Sequence, residues 1–339
     1  MNVPAAMTRR RFIALGSSAL GAQALPIRML ANTLHEDMNE NQHFDVIIVG
    51  GSYAGLAAGM ALGRALRRVL IVDSGLPANR QTPFSHNFIT QDGVPPQLIA
   101  SKARAQVERY ASVEFKHGLV TEVSVTDDGF DVRVEDTPIL TAKKLVFATG
   151  IRDLLPATPG FAECWGISVL HCPYCHGYEV RDEVTGVLGN GEKAFELVRL
   201  ISNWTKELTL FTDGPSALTE TQAQALGRHG IAIEQARVQE LAHDKGQLHH
   251  IRLADKSSRA VHALYAMPPF EQHCTIPQRL GCAMTPEGYI QVDVQQRTSI
   301  PGIYAAGDST ARLRTVANAV ATGTTAGMML NKELVAEEF

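Results

Sequence analysis

The sequence predicts an α/β fold made of two parallel-sheet units. Three observations carry the prediction. Phe44–Val49 is an apolar run, interrupted only by Asp45, that ends at Gly50. Such a run suits a strand buried on both faces, as parallel sheets require. The same design recurs at Gly186–Leu188, which runs into a glycine-rich turn at Gly189. A third apolar run, Ile303–Ala306, ends in Gly307-Asp308 near the C-terminus.

The chain has 339 residues, which suits two domains or one domain split by an insertion. Hydrophobic residues are 45% and charged residues 19%, enough to build large cores and too apolar for wholesale disorder. Lys and Arg total 31 against 35 Asp and Glu, a net charge of −4. There is no basic excess to hold nucleic acid. Five cysteines in this length do not form a disulfide scaffold.

The first segment reads Thr8-Arg9-Arg10-Arg11-Phe12-Ile13, then a mild apolar run through Leu25 with a small-residue site at Ala22-Gln23-Ala24. A basic start, a short apolar stretch and small residues are the marks of an export signal. The run is too short and weak for a membrane span. Paired arginines before Phe12 suit a twin-arginine signal, which sends folded proteins to the periplasm or cell envelope of bacteria. The alternative is a basic tail on a cytoplasmic protein. Residues 1–42 are set apart as signal and linker.

In the first unit Gly50-Gly51-Ser52-Tyr53-Ala54-Gly55 leads into a small-residue helix, Leu56–Leu62. A second strand, Val69–Asp73, ends in an acid 23 residues after Gly50. That is the reach from a phosphate loop to a ribose-binding carboxylate. The glycines let backbone N–H groups at a helix start approach a pyrophosphate. Ser52 stands where the middle glycine is expected. The unit reads as dinucleotide-binding.

Residues 113–136 alternate in the manner of antiparallel strands. Lys144–Phe147 is another buried strand, running into Ala148-Thr149-Gly150, and the Pro-rich Leu155–Gly160 reads as a domain crossing. In the second unit Gly189-Asn190-Gly191-Glu192-Lys193-Ala194 matches the G-x-G-x-x-A loop in full, and its second strand ends at Asp213, 24 residues after Gly189. This unit continues through Ala266, and Glu271–Arg279 reads as the return linker.

Between the two loops stands His171-Cys172-Pro173-Tyr174-Cys175-His176-Gly177-Tyr178-Glu179. A Cys-x-x-Cys pair at a helix start has a thiolate favoured by N–H groups and the helix dipole, which suits dithiol–disulfide exchange. Histidine as a residue type titrates near neutrality, so His176 is expected to accept a thiol proton. Cys-x-x-Cys-His is also the attachment motif of c-type haem, and the pair could serve a structural zinc site or a structural disulfide. Cys164, Cys274 and Cys282 read as apolar fillers, Trp165 and Trp204 as core. His86 is a lone histidine ahead of Asn87-Phe88 in a loop that could reach a cofactor.

Taken together, both loops, Ala148-Thr149-Gly150, the dithiol and Gly307-Asp308 resemble the low-molecular-weight thioredoxin reductases over residues 43–335. The resemblance implies two Rossmann-like domains, the second inserted into the first. Residues 43–152 and 271–339 would form an FAD-binding domain, and 153–270 an NAD(P)-binding-like domain carrying the dithiol. FAD would lie against Gly50, Gly51, Ser52, Tyr53, Ala54, Gly55, Asp73 and Gly150, with Arg80 facing it. Gly307 and Asp308 would meet its ribityl chain, and the helix opening at Val316 and Ala317 its pyrimidine end. Gly189, Gly191 and Asp213 would line the nicotinamide dinucleotide site. Cys172 would exchange with substrate and Cys175 would lie next to the flavin.

Two departures are informative. The family places an Asp after the second cysteine, and this chain has His176. Cys-Pro-Tyr-Cys-His-Gly-Tyr-Glu is similar to the oxidases that close the disulfides of gliotoxin and holomycin. Paired basic residues that grip a 2′-phosphate are replaced by Asp213-Gly214-Pro215-Ser216, so NADPH is disfavoured against NADH or no nicotinamide. The resemblance thus implies an FAD-dependent enzyme that oxidises dithiols with oxygen as acceptor. The alternatives are an NAD(P)H-dependent disulfide reductase and a non-catalytic nucleotide- or haem-binding electron carrier. The expected partner is a small dithiol or disulfide or a thioredoxin-like protein. A homodimer is implied by the resemblance alone.

Overall fold

Phe44, Val46, Ile47 and Ile48 have no solvent exposure, as a strand covered on both faces requires. They belong to a computed structural model that describes residues 43–135 and 137–339. The expected export signal lies outside the described residues. Each fully buried Ile, Val or Phe of this kind stabilises the fold by roughly 1.5–3 kcal/mol.

The chain opens with β1 (His43–Val49), α1 (Tyr53–Arg64), β2 (Val69–Asp73), α2 (Pro96–Val107) and β3 (Val113–His117). An antiparallel pair, β4 (Val120–Thr126) and β5 (Gly129–Val134), leads to β6 (Leu140–Phe147) and the short β7 (Ile151–Asp153). The middle of the chain begins with α3 (Phe161–Cys164), β8 (Val169–Leu170) and a one-turn helix α4 (Pro173–His176). It continues with β9 (Thr185–Leu188), α5 (Gly191–Ile201), β10 (Leu208–Phe211), α6 (Glu220–Arg228) and β11 (Ala232–Glu234). A three-stranded ribbon follows, β12 (Val238–Asp244), β13 (Gln247–Leu253) and β14 (Ser258–Ala260), and then β15 (Ala263–Ala266). The last part holds β16 (Phe270–Gln272), α7 (Ile276–Arg279), β17 (Ile303–Ala305) and α8 (Val316–Glu338).

The first sheet runs β3-β2-β1-β6-β5-β4, and β17 returns from the end of the chain to join it at β6. β6 pairs in parallel with β1 along one edge and serves two further partners along the other. Its first residues pair antiparallel with β5, and Leu145–Phe147 pair in parallel with Ile303–Ala305. The second sheet, β11-β10-β9-β15-β8, comes wholly from the middle of the chain and is parallel throughout. The nested two-unit Rossmann-like fold is therefore present. Where the chain crosses between the sheets, β7 and β16 pair antiparallel.

Two expectations need correction. Val113–His117 pairs in parallel with β2, because it follows a crossover helix and not a hairpin. Only β4 and β5 behave as the alternation predicts. Glu271–Arg279 is more than a linker, since it holds β16 and α7.

Small residues set how closely the two ends of the chain approach. At Gly323 in α8 an added Cβ would collide with the carbonyl of Ala54 in α1, and at Gly327 it would come within 2.7 Å of Ala58 O. The far end of α8 is tied to the sheet by polar contacts. Lys144 Nζ donates to Glu333 Oε1 at 2.7 Å, and the Tyr304 hydroxyl donates to Glu333 Oε2 at 2.7 Å.

Candidate active site

The turn after β1 is built for close approach. Gly50 has φ +104°, a left-handed conformation, and an added Cβ would strike the carbonyl of Ala148. Asp73, at the end of β2, accepts a hydrogen bond from the Gly51 N–H at 3.0 Å. The acid 23 residues downstream is thus folded against the loop itself. Ser52 caps α1 with extended backbone, and its hydroxyl makes no capping bond. Tyr53 points away from the turn: its hydroxyl donates to Pro96 O at 3.1 Å. Ala54 is buried under Gly307, and only glycine fits at Gly55, because a Cβ there would strike the Gly50 carbonyl. Arg80 lies exposed on its own loop, its guanidinium donating to Pro77 O at 3.3 Å.

Gly150 has φ +65° and open space where a Cβ would stand. Gly307 donates its N–H to Thr322 Oγ1 at 3.0 Å. Thr315 caps α8 by accepting from Asn318 N at 3.1 Å, so Val316 and Ala317 open the helix with N–H groups that have no carbonyl within it. Three buried polar atoms on the adjoining segments have no partner: Thr149 Oγ1, Gln272 Oε1 and Arg314 Nε. Orphans of this kind are rare in a folded chain. A flavin carries donors and acceptors along its polar edge, so these residues and the two helix starts fit FAD.

Beside this region lies an ion cluster that sequence reading missed. Arg314 donates two hydrogen bonds to Asp153, at 2.8 and 2.7 Å, and its Nε stands 3.9 Å from Asp308 Oδ2. Burial pushes the Asp308 carboxyl up to about 6, with Arg314 pulling the other way. His171 faces the same cluster. Its Nε2 is closed off from solvent and unpartnered, and its ring lies 5.9 Å from that of Trp165. Burial first, then the Arg314 charge, drives its pKa down to about 3.

Cys172 and Cys175 are joined as a disulfide, with Cα atoms 5.3 Å apart. Cys172 caps α4 and Pro173 starts it, where a missing N–H costs nothing. Gly177 closes the turn by donating to Pro173 O at 2.7 Å. Trp204 braces it from behind, edge-on to the exposed Tyr174 at 5.6 Å, so Trp204 supports the dithiol turn and does not belong to the core. His176 ends α4. Burial, and then the neighbouring His86, pushes its pKa down to about 4, so it is a neutral imidazole able to take a proton. His86 comes from the loop between β2 and α2, its ring 6.5 Å from that of His176. Cys164, Cys274 and Cys282 are free, the first and last of them buried. Among the described residues, no cluster of His, Cys, Asp and Glu could hold a metal ion, and no helix is long and apolar enough to cross a membrane.

The second loop has the G-x-G form, with Gly191 at φ +69° beside Gly189, but its side chains hold one another. Asn190 Oδ1 accepts from Gly191 N and Ala217 N at 2.9 and 2.8 Å. Its Nδ2 donates to Thr212 O and Pro215 O at 3.2 and 2.9 Å. Asp213, at φ +52°, accepts from Val238 N at 2.7 Å.

A phosphate loop with its acid in place, a redox disulfide and a second loop of the same kind define a dinucleotide-dependent oxidoreductase acting on sulfur. The chain belongs to the pyridine nucleotide-disulphide oxidoreductase family, whose pattern matches residues 44–323 and whose members use FAD and NAD(P)H. It is 32% identical over 311 residues to thioredoxin reductase tcpT of Claviceps purpurea, covering 88% of this chain and 97% of that one. The oxidoreductase from Agrobacterium tumefaciens shares 36% identity at a TM-score of 0.82, over 87% of this chain and 99% of that one. HlmI shares 34% identity at a TM-score of 0.82, over 88% and 95%. The chain is a thioredoxin reductase-like disulfide oxidoreductase.

Proposed function

We propose that this oxidoreductase runs in the oxidising direction, closing the disulfide of a small dithiol and passing the electrons to oxygen. The observation that carries this reading is the second loop. All four hydrogen-bonding positions of Asn190 are used within the chain, and the Asp213 carboxylate caps Val238. A nicotinamide dinucleotide would have to displace these bonds, and an acid at Asp213 repels a 2′-phosphate.

The residues divide the work as follows. A substrate thiol gives its proton to the neutral His176, and its sulfur attacks Cys172 Sγ. The Cys172–Cys175 bond breaks, with its electron pair going to Cys175. The second substrate thiol, losing its proton, attacks the first substrate sulfur and releases Cys172 as a thiolate. The substrate leaves as a disulfide and two electrons remain on the cysteine pair. Bound FAD supplies a two-electron acceptor for that pair and a route to oxygen, which takes up two protons and leaves as hydrogen peroxide. Gly50, Gly51, Ser52, Gly55 and Asp73 would hold its adenylate end, and Asp308, Val316 and Ala317 its other end.

A reductase that uses NADH is the second reading, favoured by the intact Gly189 and Gly191 backbone. Anaerobic titration of the FAD-loaded protein separates the two. If a small dithiol bleaches the flavin, nicotinamides do not and air restores the colour, the oxidase reading stands. If NADH or NADPH bleaches it and dithiols do not, the oxidase reading is wrong. The same proposal includes a homodimer, tested by light scattering at twice the chain mass. It also includes export through the arginine-led segment, tested by fractionation of an Arg10→Lys, Arg11→Lys variant, which should stay in the cytoplasm.

A further inference from the structure

His86 is carried by the first unit, His176 by the second, yet the two rings meet edge-on at 6.5 Å. On its other side His86 Nδ1 stands 3.4 Å from Glu179 Oε1 and 3.7 Å from Asp92 Oδ1. The side chains become more exposed along this path: His86 is 18% exposed, Glu179 38% and Asp92 69%. The loop that presents His86 is fixed. Ser85 and Val94 pair across it, the Asn87 N–H donates to Asp92 Oδ1 at 2.8 Å, and Asn87 itself adopts φ +58°. The same loop packs on the second unit at Gly166, where an added Cβ would come 3.2 Å from Thr82 Oγ1.

We propose that His86 is the relay residue that carries the dithiol's proton from His176 out to Glu179, Asp92 and solvent. The need for it follows from where His176 sits. A buried imidazole beside the dithiol can accept one proton, but it must lose that proton before it can serve again, and burial disfavours keeping it. His86 offers the next ring nitrogen along the path, with its Nδ1 turned to the Glu179 and Asp92 carboxylates. These three groups, His176 from α4, Glu179 just beyond it and Asp92 from the loop, are the titratable partners that face His86. The proton leaves sulfur as the S–H bond breaks, rests on His176, passes to His86 and exits by a carboxylate. No electron moves with it. Because the relay spans both units, it exists only while the dithiol unit is docked on the first. His86 acts through His176 and is a positioning residue, not a catalytic one.

This inference rests on Cys172–Cys175 being the redox pair, and not on the direction of electron flow. The test compares His86→Gln, His86→Ala and wild type, each loaded with FAD. The first readout is the rate of anaerobic flavin bleaching by dithiothreitol between pH 6 and 9. The second is the pH profile of iodoacetamide alkylation at Cys172 in protein first reduced with dithionite. Both variants should retain FAD and the wild-type visible spectrum. Bleaching should slow by about tenfold to a hundredfold near pH 7, within the range of general acid–base effects. Added imidazole should restore part of the rate in His86→Ala, and the alkylation profile should move to lower pH in both variants, because His176 loses the neighbour that disfavours its protonation. Wild-type rates and profiles in both variants would overturn the relay. So would full recovery in His86→Gln alone, which indicates packing. If dithiothreitol does not bleach the wild-type flavin, the oxidase reading fails, and the alkylation profile still decides the role of His86.

Discussion

Arg314 holds Asp153 with two hydrogen bonds, at 2.8 and 2.7 Å, and both side chains are nearly closed off from solvent at 14% and 10% exposure. One residue lies where the chain leaves the first unit and the other just ahead of α8. The bond therefore joins the start of the inserted unit to the last segment of the first. Removing one partner of such a pair leaves a buried charge without compensation, which costs more than the pair itself contributes. Arg314→Met should lower the stability of the purified protein by about 3 kcal/mol in urea titration. It should also weaken FAD retention on gel filtration, because Asp308 loses its neighbouring cation. An unchanged urea midpoint would show that Asp153 finds another partner.

Either single cysteine variant, Cys172→Ser or Cys175→Ser, should abolish dithiol turnover while FAD stays bound. Oxygen consumption with a dithiol substrate is the assay, and the visible spectrum is the control. Turnover near wild type in both variants would remove the pair from the chemistry.

The contact between α1 and α8 has no room for a side chain at Gly323. Gly323→Val must push the helices apart or strain them, a change that costs about 1–3 kcal/mol or more. Thermal unfolding should shift downward. Gly227, on exposed α6 with nothing near its absent Cβ, is the matched control, and Gly227→Ala should be neutral or slightly stabilising.

Acid should weaken the fold through two histidines. His171 titrates near 3 and His176 near 4 in the folded chain, against an ordinary value of 6.5. Between pH 6.5 and 4 the unfolded chain therefore binds more protons than the folded one. The contribution is fully present above pH 6.5 and is lost as pH falls, towards 4 for His176 and on towards 3 for His171. Urea midpoints measured across this window should fall with pH. The slope should be shallower in His171→Phe, and an identical slope would argue against a buried neutral imidazole.

The legible parts of this molecule are local in sequence. Gly50, Ser52 and Asp73 lie within one strand–turn–helix–strand unit, so spacing alone placed the acid beside the loop. Gly307-Asp308 and the helix at Val316 were legible for the same reason. The Arg314–Asp153 bond was not, because its residues are 161 positions apart and no periodic pattern links them. His86 and His176 meet only because the inserted unit docks where it does. A histidine in a polar loop carries no mark of such an encounter. The parallel pairing of Val113–His117 was hidden by its alternation, which looks alike in an edge strand of either direction.

β17 and α8 complete a sheet that was begun at β1, with the whole second unit lying between them in the chain. A ribosome making this protein therefore exposes an unfinished first unit for most of the time of synthesis. The second unit can fold as soon as it emerges, since all five strands of its sheet are then present. The first must keep β6 and α1 uncovered until the final forty or so residues arrive. Late truncations should thus be far more damaging than their length suggests: a stop codon ahead of Val316 removes the whole of α8, which covers α1, from a chain that is otherwise nearly whole.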